Sequence, residues 1–153
     1  MPRKPAAQLD REIKASLANL PGPHAPPKPP SDAALLKRLE VRAYSKAPGI
    51  LYLEWFALPK ELRGQGLGRR AYELWEAKLP KKLKLIRLHA ADSGSGPTDA
   101  FWERMGFDWR YDFDDPVYST DNPLYEASRE MQKGIHGKRT PKSTPVHVPS
   151  YDE

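Results

Sequence analysis

Apolar residues recur along this chain in two rhythms. Leu39-Glu40-Val41-Arg42-Ala43-Tyr44 alternates apolar and polar positions, the two-residue period of a half-buried strand. Ala47-Pro48-Gly49 is turn chemistry. Ile50 to Leu58 is then nearly apolar throughout, as a central strand would be, and the two segments predict a hairpin. Further on, Leu67, Ala71, Leu74, Trp75 and Leu79 fall on one face at a 3.6-residue period, predicting a helix over Arg69 to Leu79 that Pro80 ends. Leu83 to Ala90 predicts a third strand, Thr98 to Met105 a short helix closed by Gly106, and Phe107 to Phe113 another strand. A helical turn or two at Asp32 to Leu39 precedes them all. Strands alternating with helices predict an α/β domain.

Proline marks its limits. Of 17 prolines, eight lie in the first 30 residues and three in the last 13. Leu20 to Pro30 cannot be helix or central strand, because proline lacks the amide donor, so it predicts a semi-extended spacer. Leu9, Ile13, Leu17 and Leu20 before it predict a short amphipathic helix over Ala6 to Asn19. The expected organisation is an N-terminal helix and Pro-rich linker over 1–31, a domain over 32–135, and a basic, Pro-containing disordered tail over 136–153.

Composition removes several kinds of function. With no cysteine, there is no thiol nucleophile, disulfide framework or cysteine-ligated metal. The histidines His24, His89, His136 and His147 show no metal spacing, so no metal is expected. No apolar run approaches the ~20 residues of a membrane span, and none follows the start as a secretory signal would; a cytoplasmic protein with no membrane partner is expected. The net charge of +5 suits an anionic ligand. The basic C-terminal stretch lacks the interleaved aromatics of a single-strand platform, which makes nucleic acid an unlikely partner.

The chemistry concentrates between Leu58 and Arg70. Gly64, Gly66 and Gly68 stand at every second position between a strand and a helix, where backbone can approach a phosphate and helix amides can bind it. Arg63, Arg69 and Arg70 add positive charge. A Walker loop would need Gly-Lys-Ser/Thr, and a dinucleotide fingerprint a different glycine spacing. What remains is Arg63-x-x-Gly66-x-Gly68.

Leu62-Arg63-Gly64-Gln65-Gly66-Leu67-Gly68 resembles the coenzyme-A pyrophosphate loop of the GNAT N-acetyltransferase superfamily. Ala100-Phe101-Trp102-Glu103-Arg104-Met105-Gly106-Phe107 is similar to that family's second motif, and Ser128 to Ile135 to its last strand. The resemblance runs from about Leu39 to Ile135, to a compact member with a reduced N-terminal part. It implies a mixed, mostly antiparallel sheet flanked by helices. It also decides for a strand over Ala127 to Lys133, where the spacing of Leu124, Ser128, Met131 and Ile135 alone favours a helix.

The resemblance further implies acetyl transfer from acetyl-CoA, as cosubstrate, to a primary amine. Loop amides over Gln65 to Arg69 would hold pyrophosphate. The strand end at Phe56, Ala57 and Leu58 would align pantetheine and lend an amide to the oxyanion. Cofactor contacts are expected from Ala57, Leu58, Arg63, Gly64, Gln65, Gly66, Leu67, Gly68, Arg69, Ser95 and Trp102. Glu54 is the only ionisable side chain in an apolar strand, where burial would raise its pKa, and is the expected general base, with His89 and Asp92 as runners-up. Trp102 stands where the family commonly has a tyrosine acid, and indole has no transferable proton. Tyr111 and Tyr118 are its possible substitutes. A non-catalytic acyl-CoA-binding module and an interaction scaffold using the basic, Pro-rich ends are the competing functions.

Overall fold

The computed structural model describes residues 28–90 and 98–149. The N-terminal helix and most of the Pro-rich spacer expected above lie outside the described residues, as do Asp92 and Ser95.

Helix α1 (Asp32–Arg38) begins where Ser31 accepts a hydrogen bond from the Ala34 amide at 3.2 Å. Asp32 in its first turn and Lys37 and Arg38 in its last complement the helix dipole. Strands β1 (Glu40–Ala47) and β2 (Ile50–Ala57) form the expected hairpin, turning at Gly49 with φ of 77°. A 3₁₀ turn (Lys60–Leu62) leads to α2 (Leu67–Ala77). That helix starts two residues before the predicted boundary, because Gly66 in the left-handed region serves as its N-cap.

Strand β3 (Leu85–His89), α3 (Asp99–Arg104), β4 (Asp108–Trp109) and β5 (Tyr111–Phe113) follow. The single strand predicted over Phe107 to Phe113 is therefore broken at Arg110. Its amide donates to Glu130 of one sheet, while its carbonyl accepts from Thr144 of another. Helix α4 (Tyr125–Ser128) precedes β6 (Glu130–Gly134), so the strand expected from Ala127 starts three residues later and the helical spacing is satisfied for one turn.

The main sheet has the order β1-β2-β3-β6-β4, with only β2 and β3 parallel, giving the mixed, mostly antiparallel α/β fold expected from the sequence. Its core face carries Leu53, Ile86, Leu88 and Met131. Tyr72 of α2 is fully buried against it. The Tyr72 hydroxyl lies 3.1 Å from Glu76 Oε1, which pairs with Lys133 Nζ at 2.8 Å. A smaller cluster of Leu35, Leu58, Leu62, Leu67 and Ala71 joins α1, the glycine loop and α2, and Phe56 packs against both clusters.

Residues 136–149 are not the disordered tail expected. His136 and Gly137 both take positive φ, 53° and 78°, and turn the chain back on itself. Strand β7 (Thr144–Val146) then pairs in parallel with β5. Asp114 accepts from the Val148 amide at 2.9 Å and lies 2.7 Å from His147 Nδ1. The Val148 amide and then His147 hold its carboxyl below the usual carboxylate range, so this latch is intact above that range and releases as acid protonates Asp114. No helix among the described residues is long and apolar enough to cross a membrane.

The returning segment passes so close to β6 that a Cβ on Gly134 would lie 2.4 Å from the Lys138 carbonyl oxygen and 2.5 Å from Arg139 backbone atoms. Gly134→Ala is expected to destabilise the protein by about 2 kcal/mol or more, measured by urea denaturation, because rigid backbone must move. An unchanged midpoint would mean that residues 138–139 do not pack there.

Candidate functional site

The site is built on an irregularity in β2. Arg42 faces Trp55 and Ala43 faces Leu53, so Glu54 is an extra residue, a β-bulge. The bulge resets the inside–outside alternation. Leu53 points to the core before it and Phe56 after it, whereas Trp55 is 46% exposed with Arg42 over its ring at 5.6 Å. The parallel pairing of β2 with β3 ends at Leu53–Leu88. From Glu54 to Ala57 the edge of β2 facing β3 pairs with no described strand.

Glu54 begins that unpaired stretch and is exposed. The apolar burial expected from its strand sequence is absent, since a bulged residue escapes the alternation. His89, the runner-up, ends β3 on the opposite side. Its Nε2 lies 2.8 Å from Glu126 Oε2, but the atom is buried and the contact is too poorly aligned to be a hydrogen bond.

The glycine loop follows the end of that unpaired stretch. Gly64 and Gly66 have φ of 74° and 72°, and a Cβ on either would meet nothing within 4 Å. The conformation requires glycine while the space above the loop stays open. Gly66 offers α2 no side-chain cap, leaving the amides of its first turn directed out of the helix. Gly68 has a different role, because its Cβ would lie 3.2 Å from Phe101 of α3. It is a helix-contact glycine, and the Phe101 that requires it stands in the second motif.

The cations of the loop are tethered. Arg63 Nε donates to the Leu58 carbonyl at 2.8 Å, fastening the loop to the end of β2. Gln65 Nε2 donates to the Glu61 carbonyl at 2.8 Å. Arg69 pairs with Glu73 at 2.9 Å and Arg70 pairs with Asp32. Leu58 and Leu67 bury their side chains in the smaller core cluster, so only their backbone can serve a ligand. Ala57 is half-buried at the strand's end.

Trp102 belongs to the core, 7% exposed, with ring centroids 5.6 Å from Phe56, 5.8 Å from Tyr72 and 5.3 Å from Phe107. It packs against Phe56 near the end of β2. Tyr118 is 86% exposed, and Tyr111 packs on Phe113 and under Arg110, both away from the glycine loop. Two contributors had no sequence signal. The bulge is hidden in a uniformly apolar strand, and Arg129 reaches 39 residues back to donate to the Ala90 carbonyl at 2.6 and 3.1 Å.

Residues 33–107 match the model of the acetyltransferase (GNAT) family. The crystal structure of Tetrahymena Gcn5 is similar over 64% of this chain and 60% of that one, with 14% identity and a TM-score of 0.45. The GNAT family N-acetyltransferase YhbS from Escherichia coli, in complex with CoA, is similar over 71% and 56%, with 16% identity and a TM-score of 0.36. A mutant of the AtaT toxin, bound to the C-terminus of the antitoxin AtaR and acetyl-CoA, is similar over 63% and 55%, with 17% identity and a TM-score of 0.33. The chain thus spans between 55% and 60% of the length of these three. No curated protein matches it.

Arg63→Ala is expected to cost about 1 kcal/mol of stability and to make the segment from Pro59 to Gly66 more sensitive to limited proteolysis. Unchanged stability and cleavage would mean that the Arg63–Leu58 bond does not fix the loop.

Proposed function

We propose that the chain, whose residues 33–107 match the acetyltransferase (GNAT) family model, transfers an acetyl group from acetyl-CoA to a primary amine. The observation that carries this reading is the unpaired edge of β2 past Leu53, followed by two left-handed glycines and an uncapped helix N-terminus. The donor brings a thioester, whose carbonyl is open to attack and whose sulfur departs as a thiolate. The chain's residues hold, orient and move protons.

Amides from Gln65 to Arg69 receive the pyrophosphate. Gly64 and Gly66 keep the approach clear, and Arg63 holds the loop at its distance from β2. The free edge of β2 over Phe56, Ala57 and Leu58 receives the pantetheine amides as a neighbouring strand would. One of its N–H groups faces the charge that develops on the carbonyl oxygen. Ser95 and Trp102 complete the expected contacts, Trp102 by bracing Phe56.

Glu54 removes a proton from the incoming ammonium. Its exposure lets a water relay the proton, so it need not touch the amine. The freed electron pair attacks the carbonyl carbon, the nitrogen of the tetrahedral adduct gives its second proton to water, and the adduct collapses as the C–S bond breaks. Trp102 supplies no proton to the sulfur. The departing thiol has a pKa near that of cysteine, about 8.5, so it leaves as the anion and takes a proton from solvent.

The burial of Trp102 where the family commonly has a tyrosine favours a second reading, a domain that binds acyl-CoA without turning it over. Thiol release from acetyl-CoA across a panel of amines decides between them. Glu54→Gln is expected to lower kcat by ~10²–10⁴-fold, and Trp102→Tyr to raise it. Acetyl-CoA binding with no turnover in wild type or Trp102→Tyr would establish the second reading. An unchanged kcat in Glu54→Gln would remove Glu54 from the mechanism.

A further inference from the structure

Strand β1 stands at the edge of the main sheet, and its outer side pairs with no described strand. It is eight residues long, whereas β4 at the other edge has two. Every residue from Arg42 to Lys46 is exposed. A strand covered on one face would bury alternate residues, so this stretch of β1 is open on both faces. Such a row of unpaired amides and carbonyls is a template for another strand, and proteins defend it with proline, bulges or charge. β1 has no proline, and its own extra residue is Lys46, near its end.

The charges along this edge complement themselves. A second copy that continues the sheet does so antiparallel, about a two-fold axis perpendicular to it. Opposed residues then share a face, so even-numbered positions meet even-numbered ones. Centred on Arg42, the pairing sets Arg42 against itself; centred on Tyr44, it sets Arg42 against Lys46. Both oppose like charges, which is destabilising. Centred on Ala43, it sets Glu40 against Lys46 at each end, Arg42 against Tyr44, and Ala43 against itself. Neither Glu40 nor Lys46 has an ion-pair partner among the described residues. Lys46 Nζ stands over the Tyr52 ring at 5.2 Å, and the Tyr44 ring is 5.3 Å from the same ring. Arg42 already lies over Trp55, so each guanidinium gains a second ring, Tyr44 of the other copy.

We propose that β1 pairs with β1 of a second copy of this chain in the Ala43-centred register, joining two sheets into one. The Pro-rich stretch from Leu20 to Pro30 is a poor occupant of the same edge, because proline has no amide to donate to the ladder. The pairing uses the outer side of β1, whereas the unpaired stretch of β2 faces β3, so each copy keeps its own site. The overlap from Glu40 to Lys46 spans roughly 24 Å of one strand pair, a small contact, so the dimer is weak and concentration-dependent.

The chain has no cysteine, so one introduced thiol reports the register. The two Ala43 Cα atoms of this pair stand about 4.5–5.5 Å apart, within disulfide reach. The two Ser45 positions are offset by roughly 14 Å along the strands. In a glutathione buffer, full-chain Ala43→Cys is expected to form a disulfide-linked dimer at least about tenfold faster than Ser45→Cys. In sedimentation velocity from ~5 to ~500 µM chain, the wild-type mass is expected to rise toward that of a dimer. Glu40→Lys and Lys46→Glu are each expected to weaken association about tenfold, since each opposes like charges twice. An equimolar mixture of the two variants is expected to recover it, because every contact between positions 40 and 46 then joins opposite charges. A chain that stays monomeric throughout, equal cross-linking at the two positions, or a mixture no better than either variant alone would overturn the proposal.

Discussion

The parting of β2 from β3 after Leu53 and Leu88 is the constraint on which the rest of the site depends. Up to that pair, two parallel strands satisfy each other's backbone. Beyond it β2 retains hydrogen-bonding groups that no described strand meets, and unpaired backbone in a partly buried place calls for a partner. The bulge at Glu54 is the local cause, because an added residue bends the strand and strengthens its twist. It also sends Phe56 inward, where that ring meets the aromatic side chains of both motif helices.

Those rings fix the end of β2. Trp102, Tyr72 and Phe107 sit edge to face around one another, an arrangement that adds about 0.5–1.5 kcal/mol per pair to the area they bury. The Phe101 ring against Gly68 sets how closely α3 approaches α2. The glycine motif and the second motif are thus two sides of one contact. Trp102 supplies this support and carries no transferable proton.

Much of this was legible in the sequence because its causes are local. The Gly64-x-Gly66 spacing, the hairpin at Ala47-Pro48-Gly49 and the amphipathic face of α2 each follow from neighbouring residues. What escaped depends on distant partners. The bulge is invisible where nearly every residue from Ile50 to Leu58 is apolar, so Glu54 read as buried. The strand at Thr144 contains Pro145 and pairs in parallel with a segment more than 30 residues earlier, a contact no local pattern reveals. Arg110 reads as mid-strand, yet it joins two sheets.

The central claim is that the unpaired edge of β2 and the glycine loop form a coenzyme-A site, and thermal melting with and without acetyl-CoA tests it most directly, in wild type and in Gly66→Glu. The variant places an acidic side chain at a left-handed position in the open space above the loop. With ligand ~100-fold above Kd, binding is expected to stabilise the wild-type chain by about 2.7 kcal/mol, a shift of several degrees, and to leave the variant's Tm unmoved. No shift in a cooperatively melting wild-type chain would contradict the claim.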